Sequence, residues 1–114
     1  MINRREIYDK YEGHCAYCGK KMDFDNLSID HLIAVSKGGT DEVDNLIPCC
    51  FLCNHQKDNK TVEEFRAYLE NIEYALDDYK PYRAALLYKR ISVVKKKPIV
   101  FYFEQAEDNL YKRK

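Results

Sequence analysis

Behind Thr61 the apolar residues Phe65, Tyr68, Leu69, Ile72, Leu76 and Tyr79 recur at steps of three and four, which predicts one apolar stripe along a long helix. Thr61-Val62-Glu63-Glu64 is a capping-box sequence for its start, with Thr61 as N-cap and Glu64 at N3. Pro81 breaks the pattern, and residues 84–91 allow a further short helix. Near the start of the chain, Asn3 can cap a helix that carries Ile7, Tyr8 and Tyr11 on one side and stops at Gly13. From Leu27 to Asp30 the period changes to two, which reads as a strand with one buried face. Ile47-Pro48 allows only a stub of a second strand, with Pro48 at an edge or an end. Ile99, Val100, Phe101, Tyr102 and Phe103 read as a late strand. The fold class is α+β.

At 114 residues the chain is read as a single domain, 1–114. A hydrophobic content of 46% with 33% charged residues describes a globular chain and excludes a disordered one. No apolar run approaches the roughly 20 residues of a membrane span, and MINRREIYDKYEG holds no apolar core of a signal peptide. The expected location is therefore the cytoplasm, with no membrane partner, and disulfides are rare there. Five cysteines then call for another explanation. The zero net charge hides segregation. Lys80, Arg83, Lys89, Arg90, Lys95, Lys96 and Lys97 form a basic run, continued in the tail by Lys112, Arg113 and Lys114. Glu63, Glu64, Glu70, Glu73, Asp77 and Asp78 precede it. Such a basic run suits a phosphate backbone, although a solvated face has the same composition. The apolar helix stripe suits a core or a second copy of the chain, so a homodimer is a further expectation.

The cysteines change the picture most. Cys15-x-x-Cys18 and Cys50-x-x-Cys53 are two knuckles, each able to offer two sulfurs from one side. Zinc takes four thiolates in a tetrahedron, and a site closed in this way is structural. In a small domain its binding free energy becomes folding free energy. A redox Cys-x-x-Cys is the rival reading, but two pairs without a thioredoxin-like pattern speak against it. Cys49 is left as a small buried hydrophobe, and His14 as incidental.

Bringing the knuckles together on one ion places Asp30 and His31, at a strand end, opposite Asn54 or His55 in the first turn of a helix. A carboxylate with an amide oxygen or an imidazole can hold a hard divalent cation and leave positions for phosphate and water. A neighbouring neutral histidine can take a proton from attacking water. The set suits phosphodiester hydrolysis.

CAYCGK, then LSIDHLIAVSKGGTDEVDNLIPCC, then FLCNHQK resembles the zinc-knuckle type of HNH endonuclease. The resemblance covers about residues 13–61 and implies a small zinc-stapled ββα-metal core there, with 62–114 as a helical extension carrying the basic segment and the late strand. It implies His31 as general base and Asp30 as ligand of a catalytic Mg²⁺ or Mn²⁺. Asn54 would be the second ligand, with His55 as the alternative, and Asn45 would brace the loop. Lys57, matching the motif's lysine, and Lys60 beyond it are the expected substrate contacts. DNA is the implied partner, cut to leave a 5′-phosphate and a 3′-hydroxyl. Restriction, homing, phage packaging and CRISPR-associated enzymes use this module. A non-catalytic zinc-knuckle module that binds nucleic acid without cutting it is the alternative.

Overall fold

The computed structural model describes residues 2–93 and 97–112, with side chains left aside at 73 and 108–112. Two compact units form: residues 1–62 with 100–114, and residues 63–99. Lys95, Lys96, Arg113 and Lys114 of the basic run and tail lie outside the described residues.

In the first unit helix α1 (Arg4–Asp9) starts where Asn3 accepts the amide of Glu6 at 3.2 Å, and it buries Ile7. The chain then turns through Glu12 and Gly13, both at positive φ, into the first knuckle. Gly19 closes that knuckle at φ 80, and a Cβ there would stand 3.2 Å from the ring of Tyr102. Strand β1 (Ser28–His31) pairs antiparallel with β2 (Leu46–Cys49), in the register Ser28↔Cys49, Ile29↔Pro48, Asp30↔Ile47 and His31↔Leu46. The second strand is longer than the expected stub. Both strands of a two-stranded sheet are edges, so Pro48, with no N–H to give, is tolerated there. Its carbonyl accepts the amide of Ala16 at 2.9 Å and ties the first knuckle to the sheet. The buried face of β1 is not the one its apolar residue suggests: Ile29 is half-buried, whereas Asp30 is buried. Helix α2 (Phe51–Lys57) follows, with Cys50 at its N-cap and the Cys50 sulfur accepting the Cys53 amide at 3.4 Å.

The expected late strand is absent; Tyr102–Lys112 is helix α5. The amides that a strand would offer to a ladder are taken otherwise. Phe101 donates to the Glu104 carboxylate at 2.8 Å, a cap of the helix start. Tyr102 and Phe103 donate to the carbonyls of Tyr17 and Ala16 at 3.1 and 2.7 Å. Tyr17 meets Phe101 and Phe103 edge to face, with centroids 5.2 and 6.1 Å apart. These contacts brace the first knuckle from outside. Farther along, Glu107 accepts from the Tyr11 hydroxyl at 3.3 Å; burial, and then the charge of Glu107, push the Tyr11 phenol up to about 12.

The second unit carries α3 (Val62–Leu76) and α4 (Lys80–Leu87). Helix α3 begins directly after Thr61, as the capping box predicts. Pro81 sits in the first turn of α4, where a missing N–H has no helical acceptor, so it starts a helix as well as ending a pattern. Arg66 grips Glu63 through two nitrogens, at 3.1 and 3.0 Å, and reaches the carbonyl of Ile99 at 2.6 Å. Of the apolar stripe only Phe65 is buried; Tyr68, Ile72 and Tyr79 are exposed. A unit of two helices cannot cover so wide a stripe. No helix among the described residues is long and apolar enough to cross a membrane.

Candidate functional site

The two knuckles meet. The sulfurs of Cys15, Cys18, Cys50 and Cys53 lie within 4.8 Å of one another, those of Cys18 and Cys50 at 3.9 Å. A tetrahedron with zinc–sulfur distances of about 2.3 Å has sulfur–sulfur edges of about 3.8 Å, so the four residues fit zinc without rearrangement. None of the four is in a disulfide. Cys15 is pulled down to about 4 by the hydrogen bond from the Cys53 thiol, against its burial. Cys53 is pushed up, first because its thiol donates that bond and then by burial. Burial raises Cys18 as well. Cys49 is fully buried, and burial together with the charge of Asp30 raises its thiol, as suits a packed hydrophobe. His14 turns from the cluster: its Nδ1 lies 3.2 Å from the Tyr11 carbonyl and its ring lies against Tyr102.

Beside this cluster Asp30 is buried and doubly held at Oδ2. It accepts from the Tyr17 hydroxyl at 2.5 Å and pairs with the Lys57 ammonium at 2.9 Å. Burial first, and then the charge of Asp30, push the Tyr17 phenol up, so it stays a donor. Lys57 also donates to the carbonyl of His31 at 3.1 Å. This corrects the expected role of Lys57 as a phosphate contact: its side chain is 0% exposed and its charge is spent on Asp30. A buried carboxylate beside that position requires a cation, and a lysine one turn along α2 supplies it. Lys57→Met is expected to cost about 3–5 kcal/mol in chemical denaturation, because it strands a buried charge. Adding Asp30→Leu should recover most of that loss.

His31 ends β1 with a quarter of its side chain exposed, and its Nε2 lies 2.7 Å from Asp41 Oδ1. Asn45 is buried and clamps the intervening loop. Its Oδ1 accepts from Ile33 N at 2.9 Å, and its Nδ2 donates to the carbonyls of Ile33 at 3.1 Å and Thr40 at 2.8 Å. Gly39 packs so closely that a Cβ would fall 1.7 Å from the Ile33 carbonyl oxygen, which explains the glycine. On α2, His55 stacks on Phe51, with centroids 5.8 Å apart and rings 15° from parallel, and both side chains are exposed. Asn54 is half-buried, and among the described residues its carboxamide has no hydrogen-bond partner. Lys60, half-buried, donates to the Gln56 carbonyl at 3.0 Å near the end of α2.

The first knuckle and the strand, loop, strand and helix that follow it, with the second knuckle at the start of that helix, make a small ββα-metal domain of mixed α+β class. The HNH endonuclease family model matches residues 15–70, and that segment, which carries both knuckles and the Asp30-His31 pair, is similar to HNH endonucleases. The CRISPR-associated endonuclease Cas9 of Corynebacterium diphtheriae is 39% identical over 57 residues, 49% of this chain. That match spans 5% of the length of the relative.

Tyr17 and Asp41 went unmarked in the sequence. Tyr17 is a spacer between two ligands, and Asp41 one of several acids in a loop; only tertiary contact gives either a partner.

Proposed function

We propose that the chain is a metal-dependent DNA endonuclease in which His31 takes the proton of the attacking water and Asp30 and Asn54 hold a divalent ion. The observation that carries the reading is the reach of Lys57 from α2 to both Asp30 and the His31 carbonyl, at 2.9 and 3.1 Å. Asn54 lies three residues before Lys57 and therefore shares its helix face, toward the end of β1. His55, about 100° further round the helix, is exposed and stacks on Phe51. This geometry supports Asn54 over His55 as the second ligand.

A carboxylate and a carboxamide oxygen are hard donors that suit Mg²⁺ or Mn²⁺. When bound, that ion stabilises the charge that builds on the phosphate and the leaving 3′-oxygen. Everything else falls to the chain. Tyr17 and Lys57 fix Oδ2 of Asp30 and leave Oδ1 as its ligand oxygen. Asn45 keeps the loop in register with His31, and His31 receives the proton from water. The products are a 5′-phosphate and a 3′-hydroxyl. Zinc on the four cysteines holds the fold and takes no part in the reaction. Lys60, near the end of α2, is kept as a substrate contact. In the second unit the exposed Lys80, Arg83, Lys89, Arg90 and Lys97 supply phosphate contacts. The likeness to a CRISPR-associated endonuclease supports the cutting chemistry alone.

The test is a pair of variants on plasmid DNA with Mg²⁺ or Mn²⁺. Asn54→Ala should lose about 100-fold or more in rate while His55→Ala stays within a few-fold of wild type. The reverse order would reject the ligand assignment, and DNA binding without cleavage in the wild type would favour a non-catalytic module. Replacing Lys80, Arg83 and Lys89 by alanine should raise KM, leave kcat unchanged, and flatten the salt dependence of binding by about 0.9 in log–log slope per lost contact.

A further inference from the structure

We infer that Asp41 is the positioning residue of His31: its carboxylate fixes the imidazole as the Nε2–H tautomer and so turns a bare Nδ1 toward the water. The inference rests on the nuclease reading above and names a residue which that reading does not use.

An ionised carboxylate only accepts hydrogen bonds, so at 2.7 Å from Asp41 Oδ1 the proton must sit on His31 Nε2. A neutral imidazole then has its lone pair on Nδ1, and that nitrogen is the base. The loop is built to deliver this contact. Asn45 Nδ2 spans the carbonyls of Ile33 and Thr40, at 3.1 and 2.8 Å, which anchors one residue just after His31 and one just before Asp41. The Leu32 amide donates to the Asn45 carbonyl at 2.9 Å, and the Gly39 amide to Ala34 at 2.9 Å. The Thr40 hydroxyl accepts the Glu42 amide at 3.3 Å and shapes the turn on the far side of Asp41. From beneath, Lys57 holds the His31 carbonyl. The backbone of His31 and the residues that flank Asp41 are thus held from separate directions, which leaves rotation of the ring. Asp41 removes it. Asn45 then acts on His31 through Asp41 and not by direct contact.

Asp41 is 69% exposed, so its loss leaves no buried charge and no cavity. A packing role predicts no change when it is replaced; a positioning role predicts one in the ring itself. In related triad chemistry, replacing the orienting aspartate leaves the geometry and traps the wrong tautomer.

The experiment has two arms on the zinc-loaded protein. Long-range ¹H–¹⁵N correlation of the His31 ring, at a pH where it is neutral and with no divalent ion or DNA added, reads the tautomer directly. Wild type should show Nε2–H, while Asp41→Ala and Asp41→Asn should show a mixture with Nδ1–H. On plasmid DNA the same variants should lose about 10- to 100-fold in kcat with KM unchanged, and Asp41→Glu should recover part of the loss. A wild-type ring in the Nδ1–H form overturns the inference whatever the activity. So does a wild-type kcat in Asp41→Ala when His31→Ala is inactive, a result that leaves the nuclease reading intact. A wild-type protein that cuts nothing yet shows Nε2–H, lost in Asp41→Ala, removes the nuclease reading and leaves the placement of the ring by Asp41 standing.

Discussion

His31→Ala is expected to abolish cleavage, with a fall in rate of about 10²–10⁴ from loss of the general base, while zinc content and thermal midpoint stay at wild-type values. The separation follows from where His31 sits. Its backbone belongs to β1, and its carbonyl is held by Lys57, neither of which a substitution at Cβ disturbs. Its side chain lies outside the buried core, and the polar contact it makes among the described residues is with an exposed aspartate. Removing a pair whose acidic partner lies largely in solvent costs about 0–1 kcal/mol. Single-turnover rates, zinc analysis and a melting curve on the same preparation check all three parts. A variant that melts far below wild type would make His31 a structural residue.

Zinc removal is expected to act on the fold itself. Structural zinc bound by a peptide contributes about 10–16 kcal/mol near neutral pH, which equals or exceeds the 5–15 kcal/mol by which domains are stable. The first unit, whose two-stranded sheet and short helices are joined through the knuckles, should therefore unfold on chelation, and so should Cys53→Ser. Without metal, Cys15 is held as a thiolate by the proton of its neighbour, while Cys53 and Cys18 are raised above the ordinary thiol value. Raised thiols keep their protons at neutral pH, and zinc must displace them. Uptake of zinc should therefore release protons, and affinity should fall as pH falls, because protons then compete for the same sulfurs. Far-UV circular dichroism during chelator titration, with an indicator dye for protons, checks the loss of structure and its sign. A zinc-free protein that kept a cooperative melt within a few degrees of the loaded one would contradict it.

These outcomes rest on features of unequal visibility in the sequence. The four cysteines, the Asp30-His31 pair and Asn45 announce themselves because their chemistry is tied to local spacing: two residues between thiols, a strand end, a glycine-bearing loop. The sequence favours Asn54 over His55 only through the register of the second knuckle, since adjacent helical residues differ in direction, and direction depends on what α2 packs against. The buried Lys57 looked like a surface phosphate contact for the same reason; nothing local reveals that β1 turns Asp30, and not Ile29, inward. The late strand failed differently. Ile99, Val100 and Phe101 have strand-like side chains, but the cap from Glu104 and the carbonyls of Ala16 and Tyr17 take the amides from Phe101 to Phe103, and those partners stand far away in sequence. Tyr17, meanwhile, joins the thiol cluster to Asp30: its neighbours Cys15 and Cys18 serve the cluster, and its hydroxyl donates to the carboxylate.

The most direct test is supercoiled plasmid incubated with zinc-loaded protein, with and without added Mg²⁺ or Mn²⁺, alongside His31→Ala and Asn54→Ala of equal zinc content. Nicked or linear DNA with ligatable 5′-phosphate ends, formed only when the divalent ion is added and by neither variant, is the predicted result. No cleavage by wild type on supercoiled, nicked, branched or single-stranded DNA, or equal cleavage by His31→Ala, would contradict it.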